Sequence, residues 1–188
     1  SCWNLQKEKY FYYESNGIYT RTFRYFPVKK NERVFLRFGA ASYAALVFFN
    51  AAFVGSHEGA STPFYVEVTD LLKENNRLAV VVENRRKPTR VPMHNTDWFN
   101  YGGLYRDVEL IRVPQSFIRD YFVRLRPDGC FNTIDVDVTI EGPDRDGTLS
   151  VNIPDLNISQ KLSIKNGQGS AAIAAEPAIR SGPLKLSP

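Results

Sequence analysis

The residues best suited to chemistry lie together in His94-Asn95-Thr96-Asp97-Trp98-Phe99-Asn100-Tyr101-Gly102-Gly103. A loop this rich in aromatic rings and amides is costly to expose unless the rings are buried or stack on something. A ring beside carboxylate and amide groups suits a ligand with one polar rim and one C–H face, the character of a sugar. Asp97, Asn95 and Asn100 are the candidate hydrogen-bonding groups, with Asp97 the strongest because its acceptor is charged. Trp98 and Tyr101 are the candidate stacking rings. Two roles are open to Asp97, contact with a ligand or capping of backbone N–H groups in its own loop. Trp98 likewise either stacks on a ligand or packs into the end of the fold. Gly102-Gly103 serves the backbone by allowing a turn into the strand expected from Leu104.

Other constellations carry less. His57-Glu58-Gly59 has the composition of an acid–base pair but reads as a turn. Glycoside hydrolysis by the usual route needs two carboxylates set across a sugar, and no such pair stands out. Gly55 and Gly59 are outside any strand–loop–helix context, so neither forms a dinucleotide or phosphate motif. No Ser-centred nucleophile elbow occurs. Cys2 and Cys130 are too few for a disulfide framework. Neither has the Cys, His or carboxylate companions of a metal site, and two histidines, His57 and His94, make no zinc argument. No cofactor is evident.

The elements that must position the loop are strands. β-Branched and aromatic residues recur with period two, and no ten-residue helical pattern is present. Strands are expected over Ile18 to Phe26, Arg33 to Phe38, Tyr43 to Phe49, Phe64 to Val68, Arg77 to Val82 and Leu104 to Val113. A short return strand begins at Phe53-Val54 and is expected to close at Gly55. Val68 to Lys73 hints at one helical turn. Pro114 ends the last of these strands, and a second series follows: Phe117 to Leu125, Ile134 to Ile140 and Thr148 to Ile153, with weaker candidates at Leu162 to Ile164 and Ala171 to Ala174. The fold class is therefore all-β, with an antiparallel jelly roll over 1–114 followed by an immunoglobulin-like β-sandwich over 115–188.

The chain carries 24 basic and 20 acidic residues, a net charge of +4 divided as +5 through Val113 and −1 beyond it. Its largest basic cluster, Arg85-Arg86-Lys87 with Arg90, is short and reads as a solvated loop, so nucleic acid is not the expected partner. No apolar run of about 18 residues exists, so no membrane span is expected. A soluble chain is implied, whether cytoplasmic, periplasmic or secreted. It stops at Leu184-Lys185-Leu186-Ser187-Pro188 where a sandwich would still add a strand, and this predicts a truncated second domain cut from a longer polypeptide.

Three segments carry a family resemblance: RVFLRFGAASY (Arg33 to Tyr43), FVGSHEGASTPFYVEVTDLL (Phe53 to Leu72) and, most specific, DWFNYGGLYRDVEL (Asp97 to Leu110). In order and spacing they resemble glycoside hydrolase family 2, the family of β-galactosidases and β-glucuronidases. The resemblance implies that residues 1–114 are the family's sugar-binding jelly-roll domain, of galactose-binding-like fold, and that 115–188 belong to its first immunoglobulin-like domain. It implies a C-terminal TIM barrel in the same polypeptide as partner, bearing both catalytic glutamates, and hence no catalytic residue in this segment. It implies that Asp97 stands where the family sends an aspartate toward sugar hydroxyls; Asn95, Trp98 and Asn100, beside it, are substrate-binding candidates by the loop's composition alone. The glycan is met through the parent's active site, and a β-galactoside is favoured over a β-glucuronide. A cation in the absent barrel and a homo-oligomeric assembly are left open. One position departs from the pattern: Asn50-Ala51-Ala52 replaces the usual Asn-Gly hairpin. Alanine there is expected to strain a type I′ turn or force another turn type.

Overall fold

A computed structural model of the chain describes residues 2–25, 31–91, 93–97, 99–127 and 132–175. Trp98 and Cys130 therefore lie outside the described residues. The fold is an all-β sandwich architecture in two compact units, Ser1–Val113 and Pro114–Pro188. No helix among the described residues is long and apolar enough to cross a membrane.

Among the described residues the first unit holds seven strands: β1 (Asn16–Arg24), β2 (Glu32–Phe38), β3 (Ala44–Phe49), β4 (Ala52–Glu58), β5 (Phe64–Glu67), β6 (Asn75–Glu83) and β7 (Val108–Pro114). They form two sheets, ordered β1-β6-β3-β4 and β5-β2-β7. Period-two alternation explains which face each sheet buries. Val34, Leu36 and Phe38 of β2 point into the core, against Val47 and Phe49 of β3 and Leu78, Val80 and Val82 of β6. Phe35, on the opposite face of β2, is buried as well, under the guanidinium of Arg33 at 5.1 Å from its ring. Arg33 is held there by Glu67, which accepts from Nε and Nη2 at 2.9 and 2.7 Å.

Two local expectations need correction, and one open alternative is decided. Gly55 does not close a strand; β4 runs on to Glu58, because a glycine in mid-strand lets Val66 of the facing sheet approach to where a Cβ would sit (2.7 Å). The strand expected from Leu104 starts only at Val108. Leu104 is drawn into the core, while Tyr105 donates to the Ala60 carbonyl and Arg106 to that of Ser61, so 104–107 runs outside the strand ladder apart from the Asp107 carbonyl, which accepts from Gly39 N–H at 2.9 Å. The hairpin between β3 and β4 keeps the two-residue type I′ form, with Phe49 opposite Ala52 and positive φ at both Asn50 (48°) and Ala51 (69°). Alanine is thus held in the left-handed region rather than displacing the turn. Asn50 secures it, since its Oδ1 accepts from Arg77 N–H at 2.8 Å and its Nδ2 donates to the Leu71 carbonyl at 2.7 Å. The helical hint at Val68 to Lys73 becomes a single 3-10 turn, Thr69–Leu71. Two further 3-10 turns, Trp3–Leu5 and Glu8–Tyr10, open the chain.

Among the described residues the second unit has five strands: β8 (Phe117–Leu125), β9 (Thr133–Glu141), β10 (Gly147–Ile153), β11 (Ile158–Ile164) and β12 (Gln168–Ala174). They form sheets β12-β9-β8 and β10-β11. Alternate residues Ile134, Val136 and Val138 of β9 supply the core and meet Leu162, Ile164 and Ile173. The two weak candidates prove to be full seven-residue strands. Their apolar positions alternate with Ser, Lys, Gln and Gly, which dilutes the sequence signal.

Candidate functional site

The aromatic loop is hung from the end of β6. Past Glu83 the chain stays extended, so Asn84 and Arg86, two residues apart, face the same side. Asn84 is buried. Its Nδ2 donates to the Tyr13 and Asn100 carbonyls at 3.2 and 3.3 Å, and its Oδ1 accepts from Ser15 N–H at 3.0 Å. Asn100 answers by donating Nδ2 to the Asn84 carbonyl at 2.5 Å. Arg86 donates Nη1 to the Thr96 carbonyl at 3.1 Å, and its Nε stands 2.8 Å from Glu14 Oε1. Both ends of the segment carrying Asp97 are therefore tied to one stretch of chain.

A second support comes from the amino terminus. Asn4, buried, accepts from Gly102 N–H at 2.8 Å and donates to the Tyr10 and Phe11 carbonyls at 2.9 and 3.1 Å. Trp3 lies flat across Gly17 and Gly102, and a Cβ on Gly102 would come 2.3 Å from its ring. Gly103, at φ 117°, bridges in backbone pairing to Cys2 and to Ser42. The glycine pair thus meets two demands, close approach at the first position and a left-handed backbone at the second.

Between these supports is a pocket of about 340 Å³, lined by Phe11, Tyr12, Glu14, Arg86, Asp97 and Phe99 among others. Asp97 is exposed at it, and among the described residues its carboxylate has no hydrogen-bond or ion-pair partner. Asn95 is also exposed. Asn100 lines the pocket too, but it is buried and its amide nitrogen is engaged by Asn84, a structural duty its sequence context did not announce. Trp98 falls outside the described residues. The rings lining it are Phe11 and Phe99, edge to face at 4.7 Å, and Tyr12; Tyr101 packs against Phe99 at 4.6 Å from outside the pocket lining. Tyr12 and Tyr101 are largely open, at 83% and 47% exposure. The pocket's other carboxylate, Glu14, is ion-paired to Arg86, with Oε1 2.8 Å from Nε, and its Oε2 accepts from the Arg86 backbone N–H at 3.2 Å.

The basic cluster is a solvated loop only in part: Arg85 and Lys87 are exposed, Arg86 is half-buried and Arg90 is turned inward. Arg90 is buried, donating Nε to Glu58 at 2.7 Å and Nη1 to Glu83 and the Arg85 carbonyl at 3.2 Å, with its guanidinium 4.9 Å from the Tyr43 ring. Burial works against its charge, but the hydrogen bonds from Glu58 and Glu83 outweigh that cost and leave its pKa raised. His57 and Glu58 point to opposite faces of β4: His57 stacks on Phe64 at 4.4 Å while Glu58 serves Arg90. They are no acid–base pair. A larger cleft of about 700 Å³ opens along β1 and β7 over core residues Leu36, Leu78 and Val80, and it shares no residue with the 93–103 loop. Among the described residues no group of three or more His, Cys, Asp or Glu is arranged to hold a metal ion.

Sequence reasoning missed Asn4, Glu14, Asn84 and Arg86. The signal available was the aromatic run Tyr10 to Tyr13 before the first strand, which supplies Phe11 and Tyr12 to the pocket. Nothing local reveals that residues 4 and 14 meet residues 84–102.

Residues 4–114 match the model of the sugar binding domain of glycosyl hydrolases family 2. A β-galactosidase large subunit of Latilactobacillus sakei is 34% identical over 112 residues, covering 59% of this chain and 18% of that protein. A β-glucuronidase of Bacteroides fragilis is 35% identical over 121 residues, covering 62% of this chain and 17% of that protein. The chain thus spans less than a fifth of the length of these two relatives. Among solved structures, a Bifidobacterium dentium β-glucuronidase complexed with coumarin-3-O-glucuronide superposes with a TM-score of 0.73 at 26% identity, covering 93% of this chain and 35% of that one.

Proposed function

Because the chain belongs to glycosyl hydrolase family 2 through its sugar-binding domain, we propose that it is the non-catalytic N-terminal portion of a retaining exo-β-glycosidase acting on terminal β-linked sugars. Residues 1–114 form one wall of the parent's active site, and 115–188 form an immunoglobulin-like domain that continues beyond this segment as a spacer. The catalytic glutamates belong to a C-terminal barrel. One protonates the glycosidic oxygen while the other attacks the anomeric carbon, and water then releases the sugar with retained configuration.

The observation that carries this reading is Asp97, an exposed carboxylate without a partner among the described residues, at the rim of a pocket bordered by aromatic rings. In the assembled site its oxygens accept hydrogen bonds from sugar hydroxyls. Asn95 and Trp98 stand beside it as contacts, and Asn100 contributes chiefly by shaping the loop. A galactoside is favoured over a glucuronide at this wall. Among the described residues the pocket's cation is Arg86, already engaged by Glu14 and Thr96, so it offers no ready partner to a substrate carboxylate.

The test is Asp97→Ala in the full-length enzyme, with kcat/KM measured on nitrophenyl β-galactoside and β-glucuronide and the urea midpoint measured on the same protein. A lost charge-assisted hydrogen bond costs about 1.5–3 kcal/mol, or roughly 10- to 100-fold in kcat/KM. Unchanged kcat/KM with a lowered midpoint would return Asp97 to a purely structural role. The 188-residue chain alone is expected to turn over neither substrate. Calorimetric sugar binding by that chain alone would instead mark a free-standing carbohydrate-binding module.

A further inference from the structure

Asp97 has no side-chain partner among the described residues, so the place of its carboxylate is set by the backbone that carries it. The peptide immediately before it is gripped at the Thr96 carbonyl by Arg86 Nη1 at 3.1 Å. Arg86 is in turn fixed by Glu14, whose Oε1 lies 2.8 Å from Nε and whose Oε2 accepts from the Arg86 backbone N–H at 3.2 Å. Its side chain is only 21% exposed, and Glu14 is held at 33%. Such a partly buried, two-point pairing fixes geometry better than a loose surface pair does. Thr96 also donates its own N–H to the Met93 carbonyl at 3.2 Å, closing the turn in front of Asp97.

We propose that Arg86, braced by Glu14, is a positioning residue that sets the reach of Asp97 toward the sugar. The inference rests on the reading of Asp97 as sugar-facing. The chemistry requires arginine. One planar guanidinium lies against the Glu14 carboxylate as an ion pair, 2.8 Å at Nε, while Nη1 donates to the Thr96 carbonyl, whereas a lysine ammonium on its flexible stem can pair with Glu14 without fixing that carbonyl.

Two measurements test it, the first independent of catalysis. In hydrogen exchange on the 188-residue chain, R86Q and E14Q should speed exchange of the Thr96 amide about tenfold, while the Gly103 amide, paired with Ser42, keeps its rate. R86K should retain the urea midpoint yet still loosen Thr96. The second is a double-mutant cycle on kcat/KM in the full-length enzyme. R86Q should lose about tenfold, and R86Q with D97A should lose no more than D97A alone. Unchanged Thr96 exchange in R86Q, or strictly additive losses in the cycle, would overturn the clamp. A silent D97A would overturn the sugar-facing reading instead, with the clamp then judged by exchange alone.

Discussion

Adding one methyl group at Gly102 should damage the fold and the loop together. An alanine Cβ there would lie 2.3 Å from Trp3 Cζ2 and 2.5 Å from both Trp3 Cε2 and Asn84 Nδ2. Carbon contacts rest at about 3.5–4.0 Å, so the overlap exceeds 1 Å. Trp3 has little room to yield, being 8% exposed, bonded through Nε1 to the Tyr13 carbonyl and packed across Gly17 on its other side. The strain must therefore move residue 102, weakening the bonds from its N–H to Asn4 (2.8 Å) and from Trp3 N–H to its carbonyl (3.1 Å). Overpacking costs about 1–3 kcal/mol, and a compromised buried hydrogen bond about 1 kcal/mol more. Gly102→Ala should thus lose about 2–4 kcal/mol. With a urea dependence of about 2 kcal/mol per molar, the midpoint falls by about 1–2 M. Tryptophan fluorescence reports on the first unit, because Trp3 and Trp98 both precede residue 114. The control is Gly147→Ala, where a Cβ meets nothing within 4 Å and the strand gains about 0.5 kcal/mol, read by circular dichroism. A Gly102→Ala midpoint within about 0.3 M of the unsubstituted chain would refute this packing reasoning.

The remaining expectations are smaller. Ala51→Gly removes a left-handed alanine costing about 1–2 kcal/mol and returns about half of that as unfolded-chain entropy, so calorimetry should show Tm up by about 2–4 °C; no rise would mean the turn is unstrained. Arg90→Gln leaves Glu83 without its buried partner and should cost about 1–3 kcal/mol in urea titration, a neutral result showing the pairing to be dispensable. Asp135 is half-buried, its side chain 18% exposed, and hydrogen bonds from Arg126 hold its carboxyl below the usual 3.8. The stability it contributes is therefore present above about pH 4 and is lost as pH falls through the lower folded value. Arg126→Gln should flatten the acid dependence of the second unit's urea midpoint, and an unaltered dependence would exclude Asp135 as a source.

The sequence by itself determined most of the strands. Val34-Leu36-Phe38 and Ile134-Val136-Val138 each bury one face, and a side-chain period of two is a local property that no distant contact is needed to read. It also placed Asp97 and the glycine pair, because a charged group among rings and a left-handed turn leave local marks. Only the tertiary structure decided where Gly55, Leu104 and Arg90 belong. Gly55 stays within a strand because Val66 presses on it from the other sheet, Leu104 leaves its strand to fill the core, and Arg90 is drawn from solvent by Glu58 and Glu83. Each of these outcomes depends on a partner more than ten residues away or on an opposing layer. The same holds for the site: Asn4 meets Gly102 across 98 residues of chain and Glu14 meets Arg86 across 72, and only the closed sandwich brings the Asp97 carboxylate, the Arg86 grip behind it and the Phe11–Phe99 rings to one pocket.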